Sequence, residues 1–195
     1  RVVMHRRQLL EGFTASLAVC CLGASPVLAI GGTLPDLDQP APDFELAGVV
    51  PGVGAEAGEP QPARRRLSDF AGQWLVLYFY PRDFTEGCTL EARGFQRDLQ
   101  RFHALGCEVV GISADSAASH ADFCGSEALT YPLLSDPGGQ VSRRYGSWIA
   151  PFSQRHTFLI DPEGVLRASW LGVRPLTHSQ QVLESLVELQ RAPSG

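Results

Sequence analysis

The chain has 195 residues, an apolar fraction of 44% and a formal charge of −5, which suits one domain with a full core and not two. Its first 29 residues hold three arginines against one glutamate, so the remainder carries −7. An acidic body with no basic stripe excludes nucleic acid as the partner, and the ordinary apolar content excludes bulk disorder.

Residues 1–29 read as an export signal and not as part of the fold. Arg6-Arg7-Gln8-Leu9-Leu10 precedes an apolar stretch from Gly12 to Ala24, then Pro26-Val27-Leu28-Ala29. A charged start, a short apolar middle and small residues before a cut describe a secretory signal, and the paired arginines resemble a twin-arginine signal. A membrane anchor is the competing reading, but the run is short for a span and contains Gly and Pro. A lipoprotein signal would use Cys20 or Cys21, and Val19 is bulky for that purpose. The expectation is cleavage near Ala29, Met4 as the start, and delivery to a periplasm or thylakoid lumen, with no stable membrane span in the mature form.

Residues 30–195 then form the domain. Ala41-Pro42-Asp43-Phe44-Glu45-Leu46 reads as a short edge strand. Residues 48–66, rich in Gly, Pro, Ala and Glu and closed by Arg64-Arg65-Arg66, read as an exposed loop or hairpin insertion whose arginines are a solvated rim. Leu67-Ser68-Asp69-Phe70 makes a turn before Trp74–Tyr80, a run apolar on both faces as a central strand requires. Phe95, Leu99 and Phe102 follow at helical spacing, with Gly106 as the stop. Glu108–Ser113 is the next strand, Ser119–Ala128 a helix, and Ser135–Gly139 a turn. Two strands, 156–160 and 165–171, flank the turn Asp161-Pro162-Glu163-Gly164. Val182, Leu183, Leu186, Val187 and Leu189 mark a closing helix. Strands alternating with helices give an α/β three-layer sandwich around a mixed sheet.

Three cysteines remain beyond residue 29: Cys88, Cys107 and Cys124. Their odd number and wide spacing are no disulfide framework, and the histidines form no ligand-spaced cluster. Cys88 stands out. It closes Pro81-Arg82-Asp83-Phe84-Thr85-Glu86-Gly87-Cys88, where the apolar strand gives way to a helix. A thiol in a first helical turn faces unpaired N–H groups and the positive end of the dipole, which favour a sulfur anion.

The run Tyr78-Phe79-Tyr80-Pro81 into Thr85-Glu86-Gly87-Cys88-Thr89 resembles the active-site signature of the peroxiredoxins, and within them the peroxiredoxin Q, or bacterioferritin-comigratory, subfamily. The likeness extends through Ala41–Phe44, Leu67–Phe70, Gly111–Ser113, Pro132–Asp136 and Arg155–Asp161, about residues 39–190 in all. It implies a thioredoxin-like fold, a thiol peroxidase acting on hydrogen peroxide and organic hydroperoxides, no metal or organic cofactor, and a thioredoxin-like dithiol as reductant. By matching position it implies that Cys88 is the peroxidatic thiolate, Thr85 bonds the peroxide, Pro81 shields the pocket, Arg155 places a cation beside sulfur, and Glu91 orients Arg155. Thiolate formation alone does not make a fast peroxidase, because nucleophilicity falls with basicity; positioning and aimed donors supply the rest.

The sulfenic acid formed on Cys88 needs a thiol to capture it. Many relatives carry one five residues later, where this chain has Arg93. Cys124 is the leading resolver, by likeness to thiol peroxidases that place one on the corresponding helix. A one-cysteine mechanism is the next alternative, and Cys107 reads as inert packing. A disulfide oxidoreductase on the same fold would want a second cysteine in the active-site turn; a redox sensor without turnover would have little use for Thr85 and Arg155. Oligomeric state stays open, with a monomer as the working expectation.

Overall fold

The computed structural model describes residues 28–29, 31–52 and 59–191. A two-residue pairing of β1 (Leu28–Ala29) with β2 (Gly32–Thr33) comes first, spanning the expected cleavage point. The rest of the expected export signal, residues 1–27, lies outside the described residues. Seven strands then build one mixed sheet: β3 (Glu45–Val50), β4 (Gln61–Arg66), β5 (Trp74–Phe79), β6 (Cys107–Ser113), β7 (Leu133–Ser135), and, past a short hairpin of β8 (Trp148–Ile149) and β9 (Phe152–Ser153), β10 (His156–Ile160) and β11 (Leu166–Trp170). Their order across the sheet is β11-β10-β5-β6-β7-β3-β4.

The aromatic and β-branched run predicted to be central is central. β5 pairs parallel with β6 and antiparallel with β10. Its side chains alternate between two cores, as the pleat requires. Val76, Tyr78 and Tyr80 meet the helices α1 (Glu86–Ala104), α2 (Ala117–Glu127) and α4 (Pro175–Arg191). Leu75, Leu77 and Phe79 meet a thinner layer of Phe44, the 3₁₀ turn Leu67–Phe70 and the short helix α3 (Gln140–Arg144). The three layers are therefore unequal in thickness.

Helix α1 follows from its sequence. Cys88, Ala92, Phe95, Leu99 and Phe102 recur at three- and four-residue steps and are all buried. Phe95 stacks on Tyr78 at 4.7 Å, a burial worth roughly 1.5–3 kcal/mol. Gly106, with φ +64, turns the chain out of the helix into β6. Under Tyr78 the sheet demands Gly111: a Cβ there would sit 2.7 Å from Leu133 Cδ2 and 2.8 Å from the Tyr78 ring.

Three expectations need correction. The first strand begins at Glu45, after Ala41–Phe44, and is no edge, because β3 pairs with both β7 and β4. Of the two forms expected for segment 48–66, loop or hairpin, the β3–β4 hairpin is the one found, and the correction is to its exposure: Val49 is buried, β4 is the sheet edge, and the tip at 53–58 lies outside the described residues. The arginines do form an exposed rim there, with Arg64 beside Glu45 and Arg66 beside Asp69. Helix α2 starts at Ala117 instead of Ser119, because Ser116 is the cap and its hydroxyl accepts from the Ser119 amide. Helix α3 and the β8–β9 hairpin were not expected. α3 takes its cap from a distance: the Asp136 carboxylate accepts from the Val141 and Ser142 amides.

Candidate active site

The strand β5 ends at Phe79, and the loop 80–85 delivers the chain to Thr85, the N-cap of α1. Cys88 is then the third residue of the helix, in its first turn, and only 1% exposed. Its sulfur lies where amide hydrogens have no intrahelical partner, so both the backbone and the dipole favour negative charge there.

The second cation comes from across the sheet. Arg155 immediately precedes β10, which runs antiparallel to β5, and that pairing brings it to the end of β5 where Cys88 sits. Its Nη2 donates to Cys88 Sγ at 3.3 Å, and its Nη1 donates to Glu91 Oε2 at 2.5 Å. One planar guanidinium thus spans a sulfur and a carboxylate that lie nearly one helical turn apart on α1. The Arg155 backbone is pinned as well, since its carbonyl accepts from the Val173 amide at 2.9 Å. Gly87 leaves room for the guanidinium: a Cβ at that position would be 3.1 Å from Arg155 Nη2.

Burial pushes the Glu91 carboxyl up to about 7, with the adjacent Arg155 charge pulling it back. Its Oε1 is buried without a hydrogen-bond partner among the described residues, where Arg155 is the one group that compensates this side chain. Burial works to lower the Arg155 guanidinium, but the charges of Glu91 and Cys88 outweigh it and leave the group raised. Arg155 is charged at every accessible pH, and Glu91 is the member of the pair that titrates near neutrality.

Thr85 and Pro81 bracket the loop that leads from β5 into α1. Thr85 is exposed; its hydroxyl donates to the Arg82 carbonyl at 3.0 Å and makes no capping bond of its own. That leaves the oxygen's lone pairs free to accept. Pro81 is half-buried where β5 runs out. A buried thiol held by a fixed cation, with an exposed hydroxyl able to accept three residues before it, is an arrangement that can direct a sulfur anion along one approach.

The other two thiols differ. Cys107 is the first residue of β6, fully buried, and burial drives its thiol far above the ordinary range. Cys124 lies in the last turns of α2, 3% exposed; burial, with the nearby Asp83 charge, pushes its thiol up to about 12. All three cysteines are free. The structure therefore brings Cys88, Arg155 and Glu91 into one contact set with Thr85 and Pro81 at its edge, and holds Cys124 on a separate helix.

One group escaped the sequence reading. Asp83, inside the loop, is buried and accepts from Tyr80 Oη at 2.7 Å, Ser119 Oγ at 2.7 Å and His120 Nδ1 at 2.9 Å. Burial works to raise this carboxyl, but those donors, His120 first, hold it below the usual range. The only signal in the sequence was an aspartate amid the motif; Tyr80 is local, but Ser119 and His120 lie more than thirty residues away. A cavity of about 350 Å³ lined by Phe70, Leu75, Ile160 and Pro162 lies at the opposite end of β5 and touches none of these groups. Among the described residues no group of His, Cys, Asp or Glu is placed to hold a metal ion, and no helix is long and apolar enough to cross a membrane.

Comparison with known proteins gives a consistent picture. Residues 37–169 match the model of the AhpC/TSA family. Peroxiredoxin Bcp of Xanthomonas campestris is 37% identical over 129 residues, 62% of this chain and 80% of the relative. The mitochondrial thioredoxin-dependent peroxide reductase of Drosophila melanogaster is 36% identical over 78% of this chain and 65% of the relative. A solved X. campestris bacterioferritin comigratory protein, described for its alkyl peroxide reduction activity, has TM-score 0.64 and 32% identity over 67% of this chain and 88% of its own. X. campestris peroxiredoxin Q has also been solved as two cysteine-to-serine variants, at TM-scores of 0.66 and 0.63 and identities of 29% and 33%. They cover 75% and 66% of this chain and 91% and 87% of theirs. The two replaced cysteines are separated by the same number of residues as Cys88 and Cys124.

Proposed function

We propose a specific cysteine cycle for this chain, which belongs to the AhpC/TSA family and is a thiol-dependent peroxidase of the peroxiredoxin type. The Cys88 thiolate attacks the terminal oxygen of a hydroperoxide, the O–O bond breaks, and the other oxygen leaves with a proton as alcohol or water. Cys88 is left as a sulfenic acid. The observation that carries this reading is the single guanidinium donating to Cys88 Sγ at 3.3 Å and to Glu91 at 2.5 Å. It fixes a cation where charge passes from sulfur to oxygen, which is where a preorganised donor lowers a barrier most. Thr85 accepts the O–H of the peroxide while still donating to Arg82. Pro81 narrows the mouth so that the approach is in line.

Cys124 then resolves the sulfenic acid: its sulfur bonds to Cys88 Sγ and the sulfenic oxygen leaves as water. The matching spacing of the two cysteines replaced in the Xanthomonas peroxiredoxin Q supports this partner over Cys107. Both thiols are buried and stand on separate helices; in this cycle the first turn of α1 and its loop move to bring the two Cα atoms within about 7 Å, the limit a disulfide allows. A thioredoxin-like dithiol, as the name of the Drosophila relative indicates for that protein, returns the disulfide to two thiols. Hydrogen peroxide and organic hydroperoxides are the substrates. The signal pattern of residues 1–29 supports export, with a donor dithiol in the receiving compartment; amino-terminal sequencing of the exported form tests that with a cut near Ala29 as the expected result.

The cycle itself is tested by adding one equivalent of hydrogen peroxide to the reduced protein and mapping its peptides. The expected product is a Cys88–Cys124 disulfide, about 2 Da lighter than the starting chain. A persistent sulfenic acid, or a dimer linked through Cys88, would overturn Cys124 as resolver.

A further inference from the structure

Asp83 sits between Pro81 and Thr85, and nothing in the peroxide chemistry uses it. Yet its carboxylate is more fully coordinated than any group in the site. Tyr80 Oη donates to Oδ1, while Ser119 Oγ and His120 Nδ1 both donate to Oδ2. His120 is wholly buried, and its Nε2 faces the Leu134 carbonyl at 3.2 Å. Both ring nitrogens thus face acceptors. The loop backbone is fastened too, the Asp83 amide donating to Asp115 Oδ2 at 2.9 Å. The next residue, Phe84, takes φ +60, a conformation a bulky side chain avoids, and lays its ring edge-on against Phe123 at 5.2 Å.

These contacts share a geography. Ser119, His120 and Phe123 all belong to α2, and Cys124 follows Phe123, one turn beyond His120. The active-site loop is therefore bolted to the helix that carries the second thiol, through a buried anion whose bonds are expensive to break singly. In the proposed cycle that loop moves as the disulfide forms.

We propose that the Asp83 carboxylate is a latch seating the active-site loop on α2, and that releasing it from Ser119 and His120 is the gate through which the Cys88 sulfenic acid reaches Cys124. The proposal rests on the reading of Cys124 as the resolving thiol. In the gated step the S–O bond of the sulfenic acid breaks as the S–S bond forms; the hydroxyl leaves with the thiol proton as water. While the latch holds, a second hydroperoxide oxidises the sulfenic acid to sulfinic acid and departs as alcohol or water. The latch therefore sets the ratio of resolution to overoxidation. Release also withdraws burial and the Asp83 charge, the two influences that hold the Cys124 thiol high, so the resolver is activated by the motion that exposes it.

The test uses the full chain in single turnovers with hydrogen peroxide, followed by Trp fluorescence and by quenched intact mass. Ser119→Ala removes one donor to the latch and touches no reacting atom. The first phase, oxidation of Cys88, is expected to stay within about twofold of wild type, while disulfide formation quickens about tenfold, the worth of one hydrogen bond to a charged group. Sulfinic acid at excess peroxide falls in step. Ser119→Thr, which restores the hydroxyl, returns the second phase to the wild-type rate. Asp83→Asn shifts the second phase in the same direction; if that variant does not fold, Ser119→Ala carries the test alone. An unchanged or slower second phase in Ser119→Ala, or equal losses in both phases, overturns the latch. Cys124→Ser separates the two readings. If it leaves disulfide formation intact, the resolver assignment fails and the latch with it. If it abolishes the second phase while Ser119→Ala changes nothing, only the latch fails.

Discussion

Glu91→Gln tests how Arg155 is aimed. The carboxylate is 1% exposed, its Oε2 takes the Arg155 Nη1 bond at 2.5 Å, and its Oε1 has no partner. Glutamine fits the same space and keeps an acceptor oxygen, so it removes charge with little change of shape. A hydrogen bond to a charged acceptor is worth about 1.5–3 kcal/mol and one to a neutral acceptor about 0.5–1.5, a difference of about 1.4 kcal/mol, or about tenfold in rate if the aim of Nη2 at sulfur depends on it. Because burial raises Glu91 to about 7, the wild-type carboxyl is neutral below that pH and resembles the variant there. The ratio of wild-type to variant rate constants for Cys88 oxidation should therefore rise with pH. It should pass from about twofold at pH 6 to about ninefold at pH 8, following the fraction ionised. Stopped-flow oxidation by hydrogen peroxide across pH 5.5–8.5 measures it. A ratio that is flat with pH, or a variant faster than wild type, would refute the claim that Glu91 acts by aiming Arg155.

Arg155→Ala removes the donor to Cys88 Sγ and should slow oxidation about 10²–10³-fold, as loss of a preorganised charge-stabilising donor does elsewhere; a loss below tenfold in stopped flow would contradict its assignment. Thr85→Val should cost about tenfold in the same assay while Thr85→Ser retains the rate, and melting should move little, because the hydroxyl makes one exposed bond to Arg82. His178 is neutral in the fold, lowered to about 4 by burial and then by the Arg155 charge, with Nε2 paired to Thr157 Oγ1 at 2.8 Å. The unfolded chain binds a proton there below about 6.5, so this stability is full above that pH and is lost as pH falls toward 4. The stability advantage of wild type over His178→Gln in urea should shrink by about 3 kcal/mol across that window, and a constant advantage would refute it.

What could be seen in the sequence was whatever local pattern carries. The run Trp74–Phe79 is apolar at every position and became an interior strand, paired on both sides. Cys88 with Phe95, Leu99 and Phe102 is a helical stripe, so both the helix and the thiol's place in its first turn could be read. Short elements left no such trace. β8 and β9 have two residues each, too few for any period, and α3 is capped by Asp136 from outside its own span. β3 read as an edge because Ala41-Pro42 suggested one, whereas its outer neighbour β4 is a Gly- and Pro-flanked strand of arginines with no alternation of apolar residues. Arg155 and Glu91 were placed by family likeness, and the antiparallel register of β10 on β5 is the physical reason they meet Cys88. The Asp83 network stayed hidden because buried polar partners pair across the fold, and no local pattern records which donors will face a given carboxylate.

The central claim is that Cys88, in this setting, reduces peroxide. Its most direct test is the second-order rate constant for oxidation of the reduced chain by hydrogen peroxide, measured by stopped flow beside free cysteine and beside Cys88→Ser. With the helix terminus and Arg155 both acting on one sulfur, the chain should react about 10³-fold faster than free cysteine or more, and the fast phase should vanish in Cys88→Ser. A rate constant matching free cysteine, or a fast phase that survives that substitution, would contradict the account.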